Sequence, residues 1–423
     1  MNKNIKLAVA GAVLALSASA ANAGIIIPAG EWTLDINGNV NAYVNQTNVD
    51  SDKNAVTGSA LDMSKAGGHG SIKSIQTGLL PAWLGFTGKT RQNDLDVEFT
   101  ISLQPGVSSN DITGDGATVD NADAAGTAWA AKGAGVNNQS FLNRQTYLSF
   151  GDKSWGSIKL GKDLGIYASD AILNDMTLLG VGSGGGLSSA INSTNGGIGT
   201  GYQYAAWKGQ VAYTTPNFNG LQATVGITNP NQVGHAGASD MGQGSYGVEG
   251  KASYSFNAND VAGKIWASGA TYQVNATRAN NTNVYAVDIG ANINVGGLGL
   301  TGYYYSGKGN GITFFGTAGL DATGQRRDGD GGYLQATYVL PTKTKIGAAW
   351  GRSTLDLAGG ADTGTGTGVN AVVKDQTRWT VGAYHPLTKH LNLVAELSEI
   401  KLESHAAARN EYTNASLGAI MFF

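Results

Sequence analysis

The chain has 423 residues and a formal net charge of −3 at pH 7, with 64 glycines and no cysteine. The lack of cysteine excludes a disulfide-held fold, and the lack of any basic tract argues against a nucleic-acid partner. Apolar residues alternate with polar ones, and no mature segment offers the ~18 consecutive apolar residues that a transmembrane helix needs.

Residues 1–23 have the features of a cleaved secretory signal peptide. Lys3 and Lys6 supply the positive start, Leu7–Leu16 is a short apolar core, and Ala21–Ala23 is a small-residue cleavage site. Cleavage would leave residues 24–423, and removing the two lysines from a net charge of −3 gives −5. Export restricts the product to the secreted, periplasmic and outer-membrane classes.

The stretch Asp94–Gln104 shows the pattern that dominates the mature chain. Its odd positions are all apolar, whereas its even positions are polar and include Asp96 and Glu98. Since successive side chains of a β-strand point to opposite faces, the pattern predicts one apolar face and one wet face. The same period recurs in Trp32–Val44 and Tyr285–Val295, and amphipathic helical periodicity does not persist anywhere.

The predicted strands are joined alternately by short turns and by long, polar, glycine-rich loops. This alternation is typical of bacterial transmembrane barrels, whose turns face the periplasm and whose loops are extracellular. We therefore expect an all-β fold, a transmembrane antiparallel β-barrel of about 16 strands that forms one domain over residues 24–423. The internal turns are Thr90–Asn93, Gly151–Trp155, Pro216–Asn219, Asn257–Asp260, Gly296–Gly297, Pro341–Thr344 and Pro386–Lys389. The long loops are approximately residues 45–71, 105–140, 162–201, 229–245, 276–283, 307–332, 354–374 and 403–410.

An apolar face repeated over so many strands must be covered, either by lipid or by a second sheet. A soluble β-sandwich is the alternative, but long loops at every second connection and aromatic residues near strand ends favour a barrel in lipid. At about 16 strands the interior would be a water-filled channel, lined mainly by Asn, Asp, Thr and Gly. The aromatic residues expected at the membrane interfaces are Trp32, Tyr43, Trp207, Tyr213, Tyr254, Tyr304, Tyr338, Trp350, Trp379 and Phe423.

Three stretches carry a resemblance to a known family. Phe141–Asp163 is a strand–turn–strand leading into the third long loop, Tyr213–Gly226 is an aromatic–Pro–Phe–Gly hairpin, and Ala415–Phe423 is a last strand with a closing Phe. In these features the chain resembles the Gram-negative trimeric outer-membrane porins of the β-proteobacterial general-porin type. The resemblance implies a homotrimer in the outer membrane, in contact with outer-membrane lipid and lipopolysaccharide, whose third loop, here 162–201, folds into the barrel and narrows it.

The resemblance also implies that acids of the constriction loop face bases on the barrel wall. Strand phase places Lys159, Lys208, Lys251, Lys345 and Arg378 inward. Arg144 matches the family arginine but shares the phase of Leu148 and Phe150, so either it lies above the membrane or the register shifts before it. The candidate residues of the lumen and constriction are Asp163, Asp170, Asp175, Glu98, Arg144, Lys159, Lys208 and Arg378.

Motifs for other chemistry are weak. Residues 180–185 fit G-x-G-x-x-G, but no preceding strand and following helix support a dinucleotide site. Asp111–Asp123 keeps a weak divalent-ion site possible, although Ala122 stands where a calcium loop needs Glu. The five histidines have no zinc spacing, and we expect no cofactor, no resident metal and no catalytic residue.

The sequence thus predicts a passive channel, not an enzyme, for small hydrophilic solutes and ions. The alternatives are a substrate-specific 18-stranded porin, a structural or adhesive surface barrel, and an outer-membrane hydrolase. Acidic and basic residues are mixed in the inward phase, so the sequence leaves the preference for anions or cations open.

Overall fold

The structure, a computed structural model, describes residues 24–51, 56–59, 61–63, 69–107, 142–184, 193–229, 245–277, 280–321, 323–359, 362 and 371–423. The predicted signal peptide and the Asp111–Asp123 stretch lie outside these ranges. The strands are β1 (Ile25–Ala29), β2 (Trp32–Ser51), β3 (His69–Gln76), β4 (Trp83–Gln92), β5 (Leu95–Gln104), β6 (Leu142–Asp152), β7 (Gly156–Leu164), β8 (Trp207–Thr214), β9 (Leu221–Thr228), β10 (Gly247–Ala258), β11 (Val261–Thr277), β12 (Asn280–Val295), β13 (Leu298–Lys308), β14 (Asp328–Val339), β15 (Lys345–Leu355), β16 (Val373–Pro386), β17 (Leu391–Ser404) and β18 (Arg409–Phe422).

Two short helical segments, α1 (Ser169–Leu173) and a 3-10 turn at Met176–Leu179, lie in the connection between β7 and β8. In the described ranges, no helix is long and apolar enough to cross a membrane.

The strands close into an antiparallel barrel because β2 joins the two ends of the sheet. On one edge, the first part of β2 pairs with β1 and the rest pairs with β18. On its other edge, β2 pairs first with β4 and then with β3. β1 and β18 therefore share one strand position of the barrel wall, and β3 and β4 share another. The 18 strands thus occupy 16 positions. This confirms the predicted barrel of about 16 strands, and the 18-stranded alternative is wrong.

The seven predicted internal turns are confirmed, and all lie at one end of the barrel, the turn rim. One of the two-residue turns joins β4 to β5 through Asn93 and Asp94, whose φ angles are 48° and 62°. Two consecutive positive φ angles define the turn type whose twist matches that of the flanking strands, and Asn and Asp tolerate this conformation better than most residues. The opposite end of the barrel, the loop rim, carries the long connections.

The strand faces differ as the alternation predicts. Outward side chains form an exposed apolar belt, with Leu334 at 65% and Leu417 at 66% exposure. The prediction that the inward face carries mainly Asn, Asp, Thr and Gly is partly wrong, because this face also carries many tyrosines. Tyr43, expected at a membrane interface, points into the lumen and donates to the Leu179 carbonyl at 2.6 Å. The tyrosines buried on the inner face of the strands are Tyr43, Tyr272, Tyr303, Tyr305, Tyr333, Tyr384 and Tyr412.

These tyrosines are buried because connections from the loop rim fold into the barrel. The described parts of residues 165–206, between β7 and β8, of residues 309–327, between β13 and β14, and of residues 56–63 pack against the inner wall. One apolar cluster includes Ile198, Tyr202 and Phe314 from the loops with Tyr303 and Tyr333 from the wall. The loop-rim part of the lumen therefore contains a packed core.

The Asn93–Asp94 turn makes a prediction for stability. Asp94→Val should lower the free energy of unfolding by about 1 kcal/mol, because a β-branched residue is strained at positive φ. Equilibrium unfolding in urea from lipid vesicles measures this change. Asp94→Asn is the matched control and should be neutral; equal stability of the Val and Asn variants would contradict the turn conformation.

Candidate functional site

The connection between β7 and β8 is the centre of the candidate site. Strand β7 continues to Leu164 and β8 begins at Trp207, so the inward segment is 165–206 rather than 162–201. The difference arises because Lys162 and Asp163 still pair with β8 in the sheet. We call residues 165–206 the inner loop; its part 185–192 lies outside the described residues.

Two buried carboxylates of the barrel wall hold the inner loop through its backbone. Glu249 on β10 accepts the N–H groups of Ile166 and Tyr167 at 2.7 and 2.9 Å. Glu396 on β17 accepts the N–H groups of Val181 and Gly182, both at 2.8 Å. Charge-assisted hydrogen bonds of this kind are about twice as strong as neutral ones. The inner loop is thus fixed to opposite walls at two points.

The glycines of residues 180–184 have a structural role at the second of these points. A Cβ on Gly180 would collide with the Glu396 carboxylate, and Gly182 has a φ of +59°. Only glycine lets the backbone approach the carboxylate this closely and turn in this way. The G-x-G-x-x-G pattern is therefore explained by the contact with Glu396, without a nucleotide.

Asp170, on α1, lies between two wall lysines. Its carboxylate is 3.1 Å from the ammonium group of Lys251 and also forms an ion pair with Lys264. Burial would raise the pKa of Asp170, but the two lysines outweigh burial and hold this pKa below its ordinary value. Asp170 is consequently ionised at neutral pH, and the group of three has a net charge of +1.

Asp175 has a different environment, although it also faces a wall base. It begins the 3-10 turn, accepts the Thr177 and Gly197 N–H groups at 2.9 Å each, and accepts the Tyr202 hydroxyl at 2.8 Å. The guanidinium of Arg378 is 3.7 Å away. Because acid and base are both about 2% exposed or less at the side chain, Asp175 and Arg378 stabilise the inner loop and contribute little charge to an aqueous path.

The remaining candidate pairs lie on β7 and β8. Asp163 forms an ion pair with Lys159 and accepts Gln145 Nε2 at 2.9 Å. Lys208 is buried and donates to Glu249 at 2.6 Å and to the Tyr272 hydroxyl at 3.0 Å. These two pairs lie within the wall, whereas the two acids of the inner loop, Asp170 and Asp175, each lie within 4 Å of a wall base.

Arg144 points into the lumen because the register of the sheet shifts beside it. The regular pairing of β5 with β6 is interrupted by a β-bulge between Ile101 and Leu103 of β5. Of the two alternatives left open by the sequence, the register shift is confirmed. The Arg144 guanidinium lies 5.8 Å from the ring centre of Trp207, a cation–π distance, and is buried beneath the inner loop.

Glu98 lies nearer the turn rim, away from the inner loop. Its carboxylate is 3.2 Å from Lys89 and accepts the Tyr147 hydroxyl at 3.2 Å. Its side chain is 29% exposed, so it faces water more than the loop acids do. The contacts of Glu98 are with wall residues and do not include the inner loop.

Sequence reasoning missed the second inward loop, residues 309–327. Its segment Ile312–Phe315 is buried, and Tyr204 of the inner loop donates its N–H to the Thr313 carbonyl at 2.9 Å. Phe315 packs between Tyr167 and Tyr272, with ring centres 5.7 and 4.8 Å apart. The run Ile-Thr-Phe-Phe in a glycine-rich loop was the available signal, since such an apolar run must be covered.

Lys264 was also missed, although its phase on β11 is that of Ser268. Like Lys251, it forms an ion pair with Asp170. The side chains of the lysines are 35% (Lys159), 23% (Lys251) and 17% (Lys264) exposed, whereas those of Asp163 and Asp170 are 11% and 2% exposed. In each of these pairs the lysine is therefore more exposed than its acidic partner.

A closed 16-strand barrel with an apolar outer belt and a partly filled polar lumen defines an outer-membrane channel. The family model of Gram-negative porins matches residues 9–405, and the chain belongs to this family. The family and the fold are those of channels, and the protein is an outer-membrane porin.

Solved structures show the same fold at low sequence identity. The anion-selective porin of Comamonas acidovorans is 15% identical, with a TM-score of 0.58, and the match covers 93% of this chain and 100% of that one. The outer membrane channel DcaP of Acinetobacter baumannii is also 15% identical, with a TM-score of 0.65, covering 95% and 100%. The trimer form of OmpT from Vibrio cholerae is 12% identical, with a TM-score of 0.53, covering 93% and 99%. A comparison with curated protein sequences gave no match.

The Glu396 contacts predict a local effect on the inner loop. Glu396→Ala removes the acceptor of two N–H groups, and each such bond to a charged group contributes about 1.5–3 kcal/mol. Hydrogen exchange at Val181 and Gly182 should therefore become at least about tenfold faster.

The amides of Ile166 and Tyr167 serve as the internal control, because Glu249 still holds them. Faster exchange confined to Val181 and Gly182 would support independent attachment at two points. Unchanged exchange at both pairs would contradict the role of Glu396.

The second inward loop makes a prediction for channel size. Phe314→Ser with Phe315→Ser removes the rings that hold residues 309–327 in the lumen, and the loss of a buried Phe costs about 3–5 kcal/mol. The loop should leave the barrel, and single-channel conductance in planar bilayers should rise. Phe218→Ser, in an exposed turn, is the control; equal conductance in all three proteins would refute this placement.

Proposed function

We propose that the protein is a passive diffusion channel for small hydrophilic solutes, with a preference for anions. The proposal rests above all on three lysines of the inner face, because the side chains of Lys159, Lys251 and Lys264 are more exposed than those of their acidic partners. Three ammonium groups against two carboxylates leave a net charge of +1 beside the water path. No covalent step or cofactor is needed for diffusion of this kind.

The charge pairs elsewhere in the lumen do not oppose this preference. Lys208 with Glu249, and Arg378 with Asp175, are buried and of opposite charge, so each pair is close to neutral for an ion in the channel. In the family, loop acids and wall bases lie across the pore and create a transverse field. Here each acid forms an ion pair with its base, so little charge is separated across the pore. The excess of lysine is then the main charge beside the water path.

The assembly and surroundings that we propose follow from the family. The chain would form a homotrimer, as the trimer form of the Vibrio cholerae porin illustrates for a protein of the same fold. After removal of the 1–23 signal peptide, residues 24–423 would span the outer membrane with the loop rim extracellular and the turn rim periplasmic. Outer-membrane lipid, including lipopolysaccharide, would cover the apolar belt.

Two other functions are less well supported. A structural or adhesive barrel would use the loops as an outer surface, but here two long connections fold into the barrel. A substrate-specific channel finds support in the inward tyrosines, yet most of these rings are buried against loop residues and are not free to bind a solute.

Ion selectivity tests the proposal directly. In a salt gradient across a planar bilayer, the reversal potential of the unaltered protein should have the sign of an anion-preferring channel. Lys251→Gln with Lys264→Gln should lower the anion-to-cation permeability ratio by about threefold, because a charge ~5 Å from an ion in water contributes under 1 kcal/mol after screening. Asp170→Asn should shift the ratio in the opposite direction.

Lys153→Gln with Lys389→Gln is the matched control, since it removes the same charge from two exposed turns. This control should leave the reversal potential nearly unchanged. A channel that prefers cations, or equal effects of the two double variants, would contradict the proposed lysine path. Absence of any conductance would refute the channel function itself.

A further inference from the structure

The outward face of β12–β16 contains an apolar groove of about 640 Å³. Its floor is formed by small residues, Ala291, Gly302, Ala336 and Ala348, which lie in two neighbouring rows of cross-strand partners. The wall is locally indented at these small residues. The groove is part of the surface that the apolar belt presents to the membrane.

Large side chains form the sides of the groove. Leu300 and Leu334 lie next to the small residues, and Trp350 and Trp379 face each other directly across β15 and β16. The Trp379 ring is held in place because its Nε1 donates to Glu399 Oε2 at 3.0 Å. Tryptophan prefers the boundary between hydrocarbon and headgroups, so the end of the groove nearer the loop rim lies at that boundary.

A cationic group lies one row beyond the tryptophans, toward the loop rim. Arg352 follows Trp350 on the same outward face and is 48% exposed. Its only ion-pair partner in the described structure is Asp375, at 3.3 Å from one terminal nitrogen. Since a guanidinium has five donors in a planar fork that suits phosphate, Arg352 can bind a phosphate group beside this carboxylate.

We propose that the groove binds an acyl chain of a lipid A molecule whose phosphate contacts Arg352. The proposal rests on the proposed orientation in the outer membrane, in which the loop rim and Arg352 face the outer leaflet. The groove extends across β12–β16, which is ~19 Å at ~4.8 Å per strand, a length that part of an acyl chain can occupy. A flexible chain can enter this indentation, whereas the convex wall of a second barrel cannot.

The test compares a filled groove with a matched surface change. Ala336→Leu with Ala348→Leu places two larger side chains in the groove, and both positions are exposed, so the barrel should still fold. Ala395→Leu, on the exposed outward face of β17 and outside the groove, is the control. Arg352→Gln removes the phosphate partner and leaves the groove intact.

Binding is measured by native mass spectrometry of the full-length mature protein titrated with purified lipid A or with phosphatidylglycerol. We expect about tenfold weaker lipid A binding for the filled-groove variant, which is the loss for about two methylenes kept out of an apolar site. Arg352→Gln should also weaken lipid A binding, and Ala395→Leu should not. Unchanged lipid A binding in the filled-groove variant would overturn the proposal.

Two further outcomes would overturn the choice of occupant. Equal dependence of phosphatidylglycerol and lipid A binding on the groove would assign it to phospholipid. A change of oligomeric state in the filled-groove variant, with lipid binding intact, would assign the face to a contact between copies. Conductance of the same variants is recorded in parallel and should stay unchanged, so a failed lipid site is distinguished from a failed channel.

Discussion

Everything inside this barrel depends on the hydrogen bonds from the inner-loop backbone to Glu249 and Glu396. A loop that enters a barrel must leave water, and its buried N–H groups each cost free energy unless they find acceptors. The wall supplies these acceptors as carboxylates at two points, near residues 166–167 and 181–182. Without these acceptors, the inner loop would lose the hydrogen bonds that offset the conformational entropy lost when a glycine-rich segment is ordered inside the barrel.

The packing inside the barrel follows from this attachment. With the inner loop fixed, the described part of residues 309–327 packs on it through Phe314 and Phe315, and the loop-rim part of the lumen contains a core of aromatic rings. Lys159, Lys251 and Lys264, on β7, β10 and β11, stay partly exposed, whereas their partners Asp163 and Asp170 are more deeply buried. The proposed anion preference therefore depends on where the inner loop packs.

The sequence predicted the barrel well because the two-residue period is a local signal repeated on every strand. Asp94–Gln104 alone shows the two faces, and the turn chemistry at Asn93 and Asp94 determines where the chain reverses. Strand phase predicted which wall bases point inward, whereas the loop acids were named from the family resemblance. Arg144 could not be placed by phase, because a β-bulge is invisible in the alternation until the partner strand is known.

The loop packing was beyond a local pattern. The contacts of Glu396 with residues 181–182 join positions more than 200 apart in the chain, and no periodicity encodes them. Inward tyrosines such as Tyr303 and Tyr333 alternate with outward residues like any barrel position, and only the loop against which they pack explains their size. The apolar run at Ile312–Phe315 did indicate a buried segment, but it was not interpreted in this way because it lies in a loop.

The contrast in exposure between the lysines and the packed core is the central claim, and the absence of cysteine from the chain makes it directly measurable. Lys251→Cys and Ala270→Cys both place one thiol on the inner face of neighbouring strands, the first at a partly exposed position and the second in the packed core. A membrane-impermeant, charged thiol reagent should react quickly at position 251 and change the channel current, and it should leave position 270 unmodified. Rapid reaction at both positions, or at position 270 alone, would contradict the account.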